Sequence, residues 1–179
     1  MFRLVLVAIA APFLISVTAL ANNEQKITSG TIHFYGEVTS GSCAIDAEST
    51  QQTIPMDQVT TSSFSGPGSW ASPTVFWIKL ENCSLSTTQF ARVAFTGQAD
   101  AVDPQVFQTG IGASAVKGVG VGIFDAQGKL LVPNTAPESA LPLQEGKNIL
   151  SFTAKYRATT TNIVPGEAST AVNFSIIYQ

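Results

Sequence analysis

The chain has 179 residues, with twelve acidic against nine basic side chains, one histidine, two cysteines and a formal net charge of −3. No Lys or Arg cluster occurs anywhere, which excludes nucleic acid as an expected partner. Two cysteines with a single histidine cannot furnish the usual four-ligand zinc site, and no CxxC spacing exists.

Residues 1–21 read as a secretory signal peptide. Arg3 precedes an apolar run from Leu4 to Val17, and the stretch ends in Ala19-Leu20-Ala21. Cleavage after Ala21 makes Asn22 the first mature residue. The run is short, contains Pro12 and ends in small residues, all of which argue against a membrane anchor. Nothing downstream approaches the ~20 apolar residues of a span, so the mature chain is expected to be soluble. Residues 22–179 suffice for one domain with a real core. Export also places Cys43 and Cys83 where disulfides persist, and the two are expected to bond to each other. The bond closes a loop of about forty residues, worth ~4 kcal/mol by chain entropy.

From residue 22 to residue 29 the chain is polar. The stretch 31–38 then alternates: Ile32, Phe34, Gly36 and Val38 share one face, and Thr31, His33, Tyr35 and Glu37 the other. Small residues at 39–42 form a hinge before Cys43, so this strand with one apolar face is tethered only at its C-terminal end. Further strands are expected at 52–56, 75–80, 91–96, 119–124, 129–132, 148–156 and 170–178. Turn signals separate them, such as Ser65-Gly66-Pro67-Gly68, Ala126-Gln127-Gly128 and Val164-Pro165-Gly166. No persuasive amphipathic helix interrupts the series, and the pattern is that of an all-β sandwich.

Residues 75–80 are apolar on both faces except at Lys79. They read as a central strand that is covered on two sides or sits beside a groove, with Trp77 as an anchor. In 148–156, Leu150, Phe152, Ala154 and Tyr156 share a face suited to a core. Near the C-terminus Val172, Phe174, Ile176 and Tyr178 do the same, and the strand stops one residue before the chain does. A last strand in the middle of a sheet would leave the core open beside it. Burying Ile32, Phe34 and Val38 in such a gap is worth ~1.5–3 kcal/mol per side chain. Periodicity does not say whether the same chain or another fills it.

Signals for catalysis are weak. Ser114-Ala115-Val116-Lys117 fits an SxxK pattern, but the companion SDN and KTG motifs are absent. His33 falls on a polar strand face. Gly118, Gly120 and Gly122 lie in a β-branched run with no helix following, so close strand packing explains them better than a phosphate loop. The sequons at Asn82 and Asn173 stand beside a cysteine and in a core strand, and neither reads as glycosylated. No enzymatic activity, catalytic residue, metal, cofactor or small-molecule substrate is expected.

The run Gly30-Thr31-Ile32-His33-Phe34-Tyr35-Gly36-Glu37-Val38, with Cys43-Ala44-Ile45-Asp46 after it, resembles the start of mature type 1 fimbrial (pilin) subunits of the chaperone–usher pathway. Similar matches occur at 76–80 ahead of Asn82-Cys83, at 93–97, at 119–125 and at 152–159. Gly166 stands fourteenth from the end and Tyr178 is penultimate, with Val172, Phe174 and Ile176 alternating between them. The resemblance covers nearly the whole mature chain. It implies an incomplete immunoglobulin-like β-sandwich lacking its seventh strand, organised as signal peptide 1–21, donor-strand extension and hinge 22–42, and pilin domain 43–179.

By that resemblance, Ile32, Phe34, Gly36 and Val38 form the donor face, and Cys43–Cys83 is the family's disulfide. Gly166, Val172, Phe174, Ile176 and Tyr178 make the C-terminal motif that borders the groove and meets the chaperone. The implied partners are a periplasmic chaperone, an outer-membrane usher and neighbouring subunits, and the implied destination is the fimbrium on the bacterial surface, where the fibre supports adhesion. The expected role is a structural subunit polymerising by donor-strand exchange. The alternatives are a minor or regulatory subunit that starts, ends or limits the fibre, and, less favoured, a ligand-binding adhesive module.

Overall fold

The computed structural model describes residues 42–179 apart from Thr87 and Ile111. The segments expected as signal peptide and donor extension, with Ile32, His33, Phe34, Gly36 and Val38, lie outside the described residues. Alternating sequence gives strands at β1 (Ala44–Ile45), β2 (Trp70–Cys83), β3 (Phe90–Thr96), β4 (Phe107–Gln108), β5 (Val119–Phe124), β6 (Leu130–Leu131), β7 (Leu141–Pro142), β8 (Gly146–Ala158) and β9 (Asn173–Tyr178). One short helix, α1 (Ala47–Thr50), follows β1. Its first turn is capped by the Asp46 carboxylate, which accepts from the Glu48 N–H.

The strands form two sheets, one in the order β1-β2-β8-β5-β4 with β6 also on β5, the other β7-β3-β9. All strand pairings are antiparallel. The expected all-β architecture is therefore observed. The long β2–β8 ladder sets Phe76 opposite Phe152 and Ile78 opposite Leu150, and β3–β9 sets Val93 opposite Ile176 and Phe95 opposite Phe174. Register shifts in the first ladder fall between Ala71 and Thr74 and between Leu80 and Cys83. At these irregularities Ser72 and Asn82 take positive φ, as the extra residue of a bulge bends the strand.

The core lies where the two sheets face each other. Phe152 of β8 stacks on Phe76 of β2 with centroids 5.6 Å apart, and meets Phe95 of β3 edge-on at 5.2 Å. These rings join the sheets, and Ile78, Leu80, Val93, Val121 and Leu150 pack around them. Cys43 and Cys83 are buried and joined in a disulfide, which ties the chain just before β1 to the end of β2.

The glycine run in β5 has a steric cause. A Cβ on Gly122 would stand 2.5 Å from the Trp70 ring, and one on Gly120 would collide with Val106. Trp70 thus packs against Gly122, edge-on to Phe124 at 4.8 Å, with the Arg157 guanidinium 4.8 Å from its ring centre.

Four expectations need correction. Of the two alternatives for β2, cover on both sides fails and a place beside a groove holds: Phe76, Ile78 and Leu80 face the core, Phe76 and Ile78 line a groove, and Val75 and Trp77 are 49% and 51% exposed. The second sheet packs on the inner face alone, so Trp77 anchors nothing in the core. Residues 52–56 are extended, with Ile54 and Met56 half-buried, but they form no ladder with any described strand. Pro55 has no N–H to offer. The strand expected at 129–132 shortens to β6, and that at 170–178 begins its ladder only at Asn173.

Candidate functional site

An open groove of about 840 Å³ runs between the two sheets, and its floor is the core itself. Phe76 and Ile78 from β2, Phe95 from β3, Val121 and Ile123 from β5, and Ala154 and Tyr156 from β8 all line it. The alternation in each strand that turns these side chains inward also directs them at this opening. One lip is formed by residues 49–56. It is pinned to β2: the Gln52 amide donates to the Trp77 carbonyl at 2.8 Å, and the Lys79 N–H donates to Ser49 Oγ at 2.9 Å.

The other lip is residues 167–174, which lead into β9. Among the described residues, β9 pairs with β3 on one side and is the terminal strand of its sheet on the other. An edge strand beside an open core presents unpaired N–H and C=O groups next to apolar pockets, the arrangement that accepts an added strand.

Among the described residues, Glu167 is the one charged side chain lining the groove. The described residues that line its floor are mostly apolar, among them Phe76, Ile78, Phe95, Val121 and Ile123. Burial, and then repulsion from Asp57, hold the Tyr156 phenol above its ordinary pKa. Among the described residues no group of three His, Cys, Asp or Glu side chains is placed to hold a metal ion. Ser114 and Lys117 are exposed in the loop before β5.

The C-terminal motif residues divide between the groove and the packed sheet. Val172 and Phe174 line the groove, while Ile176 packs against the core opposite Val93. All four of Val172, Phe174, Ile176 and Tyr178 are half-buried, with exposed residues between them. Tyr178 donates its hydroxyl to the Cys43 carbonyl at 3.2 Å, so the last strand is tied to the disulfide end of the domain. Burial raises its phenol pKa too. Gly166 stands just ahead of the second lip, against the backbone of residues 114–116. The donor-face residues Ile32, Phe34, Gly36 and Val38 lie outside the described residues.

Sequence reasoning found the border strand but missed the floor as a site. The periodicities of β2, β5 and β8 mark a core face without marking that it is left open. Ile54 and Met56 on the first lip were legible only as a strand.

The profile of the Fimbrial protein family matches residues 32–179. The chain belongs to this family of structural, non-enzymatic subunits of surface fimbriae. It is 37% identical over 181 residues to the type-1 fimbrial protein A chain of Escherichia coli, covering 98% of this chain and 97% of that one. Its fold is similar to a subunit in the structure of a chaperone–usher pilus that addresses rod uncoiling, with a TM-score of 0.70, 26% identity, and 85% and 96% of the two chains covered. It also resembles the P pilus rod subunit PapA, with a TM-score of 0.66, 25% identity, and 78% and 100% covered.

Proposed function

We propose that this chain is a fibre-forming subunit of a chaperone–usher fimbria that polymerises by donor-strand exchange. The observation that carries the reading is the groove: an apolar floor opening on the core beside the terminal strand β9. An inserted strand would gain ladder hydrogen bonds along β9, and its alternate side chains would fill the floor.

Residues 1–21 direct export to the periplasm, and 22–42 supply the donor segment to a neighbour's groove. Ile32, Phe34 and Val38 enter its floor, at ~1.5–3 kcal/mol each, and Gly36 sits among them. Before assembly, a periplasmic chaperone lends a strand to the domain 43–179 and contacts Val172, Phe174, Ile176 and Tyr178. The outer-membrane usher is where the next subunit replaces it. The finished subunit resides in the fimbrium at the cell surface and supports adhesion as part of the fibre. Likeness to a pilus rod subunit favours a place in the shaft over a terminating role.

The test is Phe34→Asp in cells that assemble the fibre, with immunoelectron microscopy of a tagged chain. Wild type is expected to label along the shaft, and the variant to be lost from it. Normal incorporation of the variant refutes the donor assignment, and label at one end only assigns a minor role instead.

A further inference from the structure

Gly166 has no side chain with which to grip a partner, yet the space around it is filled. A Cβ there would lie 2.5 Å from the Ser114 carbonyl oxygen, 2.5 Å from the Val116 nitrogen and 2.6 Å from the Ala115 carbonyl carbon. These are backbone atoms, which cannot swing aside as a flexible side chain can. Its φ is not among the positive ones, so conformational freedom is not the reason for glycine. The reason is close approach of two backbones.

Around this contact the loop 110–117 clasps the second lip. The Val116 N–H donates to the Glu167 carbonyl at 3.0 Å, the Glu167 N–H to the Ser114 carbonyl at 2.9 Å, and the Gly110 N–H to the Ser169 carbonyl at 2.7 Å. Lys117 and Val164 exchange two further backbone bonds. These bonds fall on the residues before the β9 ladder begins, where no strand partner holds the chain. Residues 167–172 line the groove. The lip is therefore tied on its outer side to Gly110 and residues 114–117 by backbone bonds.

We infer that Gly166 is a positioning residue: it lets the loop 110–117 dock against the lip and so holds one end of the groove open in the shape an incoming strand requires. This rests on reading the groove as a strand acceptor, and it replaces direct contact with a partner as the role of Gly166. A side chain at 166 displaces the lip by the clash with Ser114 and Val116, and it does so at one end of the groove only. The ladder of β9, held by six register pairs to β3, is left in place.

The experiment measures binding of a synthetic peptide copied from residues 27–38 to the mature chain and to its Gly166→Ala variant, with the peptide also shortened from either end. The variant is expected to bind the full peptide at least tenfold more weakly. Shortening the peptide from one end should abolish that difference, and shortening it from the other should preserve it. A folded variant that binds the full peptide as wild type does overturns the inference, as does a loss that no truncation removes. Wild type that takes up no peptide overturns the acceptor reading itself. Hydrogen exchange of the unaltered chain covers the case of a variant that does not fold: the Gly110, Val116 and Glu167 amides should be protected without peptide. Free exchange at all three overturns the clasp.

Discussion

Replacing Phe152 by alanine probes the layer that supports the groove floor. The side chain is 1% exposed, stacked on Phe76 and edge-on to Phe95, and both of those rings line the groove. Phe76 and Phe152 are cross-strand partners, so the ladder prevents β2 and β8 from closing over the missing ring. Truncation at such a site costs ~3–5 kcal/mol, the upper part of the range applying where the site cannot collapse. About 4 kcal/mol is nearly three powers of ten in the folding constant.

Trp77 is the internal control. It neighbours Phe76 in β2 and has the larger ring, but it is half exposed on the outer face. Trp77→Ala should stay within ~1 kcal/mol of wild type. Urea unfolding of the oxidised proteins, followed by circular dichroism, reads both. A loss under ~1.5 kcal/mol for Phe152→Ala, or an equal loss for Trp77→Ala, refutes this account of the core.

Two further outcomes follow from the covalent and titratable groups. Cys43→Ser with Cys83→Ser opens a loop with a sequence separation of 40, and should lower stability by ~4 kcal/mol; an unfolding midpoint unchanged from the oxidised protein contradicts this. Burial raises the pKa of both Tyr156 and Tyr178, so the folded chain holds these protons more tightly than the unfolded one. Their contribution is complete below pH ~10 and lost as pH rises through the folded values. Glu48 and Glu81 raise Lys79 and Lys147 in the same sense, but exposed pairs add little. Stability to urea should therefore fall as pH rises above about 10, less steeply in Tyr178→Phe, and a flat or rising stability profile contradicts the linkage.

Period-2 alternation was enough to place the buried faces of β8 and β9, because those faces are set by local geometry and one core. Leu150, Phe152, Ala154 and Tyr156 are all buried, and Val172, Phe174, Ile176 and Tyr178 all face inward. The glycines of β5 are legible as close packing, though not that they receive Val106 and the Trp70 ring. What could not be read is set by partners distant in the chain. Among the described residues, 52–56 have a strand's sequence but no strand beside them, and Trp77 has a core residue's composition on a sheet face that no described layer covers. The two-residue strands β4 and β7 exist only because longer neighbours offer an edge. The groove was foreseeable as a gap beside the last strand, but its lip at 167–172 depends on the loop 110–117, which carries no periodicity.

The central claim is that the domain is completed by a strand from outside it. The most direct measurement is the unfolding midpoint of the purified mature chain titrated with the 27–38 peptide. Saturable binding should raise stability by ~2.7 kcal/mol at a hundredfold excess over Kd. A persistent monomer whose midpoint does not move at any peptide concentration would contradict the account.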